Sequence, residues 1–173
     1  MKISKLKLLV ICICIALFVI PFFWINPGEM DLGGDSGRLY FYDPLSLLKN
    51  VSLYTINPEG IGNVEYNVFN IPFLILTSII KLFLQSPYLV ISLFNSLKLV
   101  VGFIAMYAII KELLEVKRHH KSLRELSAIM AGLFYIFSPM FIGNFDRALT
   151  NHDQVFLNPL IFYLMLRFIL VSK

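Results

Sequence analysis

Little in this chain suits water or the commoner soluble chemistries. Charged residues make up 15% of it, against about 25% in an ordinary globular domain. Cysteine occurs only as Cys12 and Cys14, both in the first apolar run. Two positions apart on a helix, they point to different sides, which excludes a mutual disulfide. With no cysteine in any segment expected outside the cell, thiolate metal sites are excluded too. There is no HExxH pair, no glycine-rich nucleotide loop and no serine-centred nucleophile elbow.

What fills the sequence is apolar. Hydrophobic residues reach 58% and the mean hydropathy is +0.76, well above the roughly 45–50% apolar content of soluble domains. Lipid is the expected solvent, and the expected fold is an all-α integral membrane protein. The formal charge of +4 matters less than where the charges fall.

Five apolar runs stand out: 8–25, 68–84, 88–110, 126–142 and 156–171. The first follows Lys2, Lys5 and Lys7, is longer than a signal-peptide core, has no small-residue cleavage site after it and carries Trp24 near its far end. It reads as an uncleaved span with a cytoplasmic N-terminus. Five crossings would put "KELLEVKRHHKSLRE" (111–125), the densest basic cluster, outside, against the positive-inside rule. One run must then not cross. Residues 68–84, with Asn70 and Pro72 near the start and Lys81 near the end, are the weakest span, since an ionised lysine near the bilayer centre costs about 2.5–3.5 kcal/mol. They are expected to form a helix in the outer leaflet, inside an external loop covering 26–87. The result is about four transmembrane helices (8–25, 88–110, 126–142, 156–171), a cytoplasmic basic loop (111–125) and a second external loop (143–155), all one transmembrane domain. The chain stops as the last span reaches the cytoplasm, and reads equally well as a small four-span protein or as the front of a longer one.

Within the first external loop, "EMDLGGDSGRLYFYDP" gathers Glu29, Asp31, Asp35 and Asp43 around Arg38. Glycines on either side of Asp35 permit positive φ and close approach of another group. A carboxylate there can accept a proton from a hydroxyl nucleophile or help hold a divalent cation. It can equally cap the helix that begins near "RLYFYDP". Asp43-Pro44 reads as an N-cap followed by proline at the first helical position. In the second external loop, Asp146, Arg147, His152 and Asp153 could contact an anionic or sugar-bearing ligand, with Arg147 pairing a phosphate, though "TNHD" also reads as a helix start. His119 and His120 in the basic loop suit lipid phosphates or topology. Asn95 and Lys98 are polar residues within a span, where ionisable groups face a cavity or a polar partner.

Taken together, the early external Asp, the outer-leaflet segment, the basic inner loop and the span "LSAIMAGLFYIFSP" resemble the N-terminal part of GT-C-type membrane glycosyltransferases that use polyprenyl-phosphate sugars. "GGDSGRLYFYDP" is similar to the opening of bacterial members of arabinofuranosyltransferase type. The resemblance implies transfer of a sugar from a lipid-linked donor to an extracytoplasmic glycan or protein acceptor, at the cell membrane and with no nucleic acid involved. It implies Asp35 as the catalytic residue; Arg38, Arg147, His152 and Lys98 are the substrate-binding candidates that the charges themselves offer. A divalent metal ion (Mg or Mn) at Asp35 and Asp31 is also implied. Family members are longer, with more spans. The competing expectation is a non-enzymatic polytopic subunit or scaffold, with Asn95 and Lys98 serving helix packing.

Overall fold

The computed structural model describes residues 5–24, 26, 39–53, 71–116, 120–145 and 154–171. Proline sets many of the helix boundaries, because it has no N–H to lose at the first helical position and disfavours the helical conformation in the residue before it. Helix α3 (Pro44–Leu53) follows Asp43, α5 (Pro87–Val116) follows Ser86, and α7 (Pro139–Phe145) follows Ser138. The Asp43 carboxylate accepts the Ser46 backbone N–H at 3.2 Å, which bears out the N-cap expected there. Hydrogen bonding from the Ser46 side chain, together with that backbone bond, holds the Asp43 carboxyl below its usual range, with Lys81 of α4 (Ile71–Phe83) adding a weaker electrostatic pull. Asp43→Ala should cost about 1 kcal/mol, read as a lower thermal midpoint.

Proline also ends the first helix. Helix α1 (Lys5–Val19) tightens into a 3-10 turn, Ile20–Phe23, around buried Pro21. A 3-10 turn would direct the N–H of residue 21 to the Phe18 carbonyl, and proline has none. The Ser96 hydroxyl of α5 fills that vacancy at 2.5 Å, while Tyr88 Oη donates to the Phe22 carbonyl at 2.5 Å. The two bonds lay α1 antiparallel along α5.

Helix α5 is the axle of the structure. At 30 residues it is about 45 Å long, and two apolar clusters form on it. In one, Phe94 meets Phe41 of α2 (Leu39–Tyr42) and Phe73 of α4, with ring centroids 5.2–5.9 Å apart; Val90 and Ile91 complete it. In the other, Leu99 and Phe103 meet Leu17 of α1, Ile136 of α6 (Lys121–Ile136) and Phe141 of α7. Helix α8 (Gln154–Val171) packs against α5 and α7. Gly102 and Gly132 let the helices close: a Cβ at Gly132 would stand 2.7 Å from the Phe103 ring.

The described residues are all helical or connecting, as the sequence led us to expect. Two stretches, Lys5–Phe23 and Pro87–Glu115, are long and apolar enough to cross a membrane. The expected run 126–142 is two helices rather than one, broken at Ser138-Pro139, where the Ser138 hydroxyl accepts the Phe141 N–H at 3.2 Å. The expected basic loop is mostly helical: α5 runs on through Val116 and α6 begins at Lys121. Helix α4 spans 13 residues, about 20 Å, short of a 30 Å hydrocarbon core. It buries Leu74, Thr77 and Ser78 and exposes Ile75, Ile79, Leu82 and Phe83.

Candidate functional site

Of the residues nominated from sequence, Asp31, Asp35, Arg38, Arg147 and His152 lie outside the described residues. Lys98 lies within them. It is half-buried on α5 and engaged in an interaction of its own. Its position is informative. Phe94, Lys98 and Gly102 follow one another at four-residue intervals, one slanting row on a helix. Phe94 anchors α2 through Phe41, and Gly102 receives the Phe141 ring of α7. Lys98 therefore stands between the attachment points of two helices. Arg38 immediately precedes α2, and Asp146 follows α7 directly.

The densest polar constellation among the described residues is at the other end of α5. Glu125 of α6 is only 4% exposed. Tyr107 Oη donates to its Oε2, Lys111 Nζ lies 3.0 Å from its Oε1, and Lys111 also donates to Tyr107 Oη at 3.2 Å. Burial opposes ionisation of Glu125. The hydrogen bonds from Tyr107 and Lys111, with the charges of Lys111 and Arg124, outweigh it and hold the carboxyl below its usual range. Two further pairs flank this one: Arg124 with Glu115 at 3.1 Å, and Arg167 of α8 with Glu112 at 2.9 Å. All three join α5 to a neighbouring helix. The side chains of the triad satisfy one another, so its chemistry is cohesive rather than catalytic.

Sequence reasoning did not single out Tyr107 or Glu125. The available signal was the spacing Tyr107–Lys111–Glu115, a row on one helix face, opposite a glutamate that follows an arginine. Among the described residues no group of three or more His, Cys, Asp or Glu side chains could hold a metal ion. The acidic pair nominated for that role, Asp31 and Asp35, falls outside them.

No protein family, curated protein or solved structure matches the chain.

Proposed function

We propose that this chain is the N-terminal portion of a multi-pass cell-membrane glycosyltransferase of GT-C type, moving a sugar from a polyprenyl-phosphate donor to an extracytoplasmic acceptor. The observation that carries the proposal is the placement of Lys98 between the anchors of α2 and α7. Asp35 is six residues before Phe41, and Arg147 six residues after Phe141, each a reach of about 20 Å at most. The anchors on α5 are eight residues apart, about 12 Å. Both loops are thus tethered within reach of the same lysine.

In this reading the four membrane crossings begin at residues 8, 88, 126 and 156, with the N-terminus in the cytoplasm. The acceptor hydroxyl attacks the anomeric carbon of the sugar. The bond from that carbon to the lipid phosphate breaks, and the phosphate leaves with the electron pair. Asp35 takes the hydroxyl proton. Lys98, Arg38 and Arg147 balance the charge growing on the departing phosphate, and His152 orients the sugar or the acceptor. Asp31 and Asp35 offer hard carboxylate oxygens of the kind that hold Mg or Mn, which would supply further charge neutralisation there.

The test is sugar transfer from a polyprenyl-phosphate donor in membranes carrying the full-length protein. Asp35→Asn should lower transfer by about 10²–10⁴-fold with expression unchanged. Transfer at the normal rate removes Asp35 from the site. A wild-type protein without transfer activity favours the second reading, a non-enzymatic membrane scaffold, for which the mutually satisfied ion-pair end of α5 speaks.

A further inference from the structure

We infer that the end of the bundle formed by the N-termini of α1 and α6 is a docking surface for anionic phospholipid. The inference rests on the membrane reading but not on glycosyl transfer.

The chain brings two distant basic segments together there. Antiparallel packing fixes the level of Lys5: it lies 13 residues, about 20 Å, from Phe18 along α1, which places it beside residue 109 or so on α5, counted from Ser96. Glu125 of α6 is tied to Tyr107 and Lys111 at that same level. Helix α1 also touches α6, so Lys5, His120 and Lys121 belong to one end of neighbouring helices, and all three are exposed.

The charges at this end do not cancel. Each described acid there is already held: Glu125 by Lys111, Glu115 by Arg124, and Glu112 by Arg167. Lys5 and Lys121 appear in none of those pairs. Nor do they serve their own helices. The first turns of α1 and α6 hold no acid, and a helix start favours negative charge over positive. The positive charge at this end is therefore not offset within the first turn of either helix and is open to an external anion.

What lies beside the bases decides which anion. On α1 the exposed lysines give way at once to exposed Leu8, Leu9 and Ile11; on α6, Lys121 gives way to exposed Leu123, Leu126 and Met130. A free phosphate or an acidic peptide has no use for those side chains. A phospholipid has: its phosphate meets the lysines while its acyl chains run along the two apolar stripes. Clustered bases at the membrane surface each contribute about 1 kcal/mol towards anionic lipid, equivalent to about fivefold in binding.

The experiment reconstitutes the whole chain in mixed phosphatidylcholine and phosphatidylglycerol, extracts it in mild detergent, and measures retained lipid by mass spectrometry. Wild-type protein should retain phosphatidylglycerol severalfold above its share of the mixture. Lys5→Gln with Lys121→Gln, both at exposed positions, should bring that enrichment down to near the lipid's share of the mixture, while circular dichroism stays unchanged. Lys49→Gln, on α3, should leave it intact. Equal retention of the two lipids by the wild type, or enrichment undiminished in the double variant, overturns the proposal. Enrichment abolished equally by Lys49→Gln does so too, since it would then reflect net charge alone.

Discussion

Replacing Glu125 with alanine is expected to destabilise the bundle by about 3 kcal/mol, the lower end of the range for breaking a buried ion pair. The lower end applies because Lys111, with 29% of its side chain exposed, can recover some hydration, whereas Glu125 cannot. The loss has two parts. Lys111 keeps its charge without its partner, and Tyr107 Oη loses the acceptor it donates to. Tyr107→Phe removes the hydroxyl's bond to Glu125 and the one it accepts from Lys111 but leaves the two charges paired, and should cost about 1.5–3 kcal/mol. Replacing the pair together, Glu125→Leu with Lys111→Met, should come close to neutral, since apolar packing can match a buried pair once neither charge is stranded. Thermal unfolding in detergent micelles separates these cases. The sign of the pH dependence follows from the depressed carboxyl. Its folded value lies below the ordinary 4.5, so its contribution is complete above 4.5 and is lost as pH falls through the folded value. The thermal midpoint of the wild type should therefore fall on acidification below about pH 4.5. That of Glu125→Ala should fall less.

How much of this was open to reading beforehand depends on the kind of force involved. The helices were legible because their apolar runs are long: α1 with its 3-10 turn, and α8, lie within three residues of the expected stretches, while α5 starts within one residue but runs on six residues past the expected end. Asp43-Pro44 was legible because capping is local chemistry, settled within four residues. The break at Ser138-Pro139 was missed: serine followed by proline starts a helix, but the hydrophobicity continuing from Ala131 to Ile142 made 126–142 read as one span. The ion pairs were not legible. Lys111 and Glu115 stand four apart on one helix, where a sequence reader expects them to pair with each other, yet each pairs across to α6 instead. Only the meeting of α5 with α6 decides that. For the same reason 111–125 read as a basic loop, although its acids are the partners that lock three helices together. The row Phe94–Lys98–Gly102 shows the limit from the other side. Lys98 stood out as an ionisable residue in a span, but nothing in the sequence says that Phe94 anchors one loop-bearing helix and Gly102 another.

At Gly132, α6 packs directly on Phe103 of α5 with no room for a side chain, and Gly132→Val should weaken the bundle by about 3 kcal/mol, at the upper end for overpacking. Even a single added methyl would meet Phe103 Cδ2 at 2.7 Å, Cε2 at 2.8 Å and the Phe103 carbonyl oxygen at 3.0 Å. The ring has nowhere to go. It is fully buried among Leu17, Leu99, Ile136 and Phe141 and stacked on Tyr107, with ring centroids 6.3 Å apart. The backbone oxygen cannot rotate away at all, so the helices must part. Gly102 makes the contrasting case: its nearest neighbour, at 2.8 Å, is the far edge of the Phe141 ring, carried by the seven-residue α7. Gly102→Ala should therefore cost about 1 kcal/mol or less, with the roughly 1 kcal/mol gained in helix propensity offsetting the crowding. Parting α5 from α6 at Gly132 also draws Tyr107 and Lys111, both on α5, away from Glu125 on α6. The Gly132→Val and Glu125→Ala losses should then fall short of additive when combined, since each removes part of what the other disturbs; strict additivity would mean that glycine contact and buried glutamate act independently.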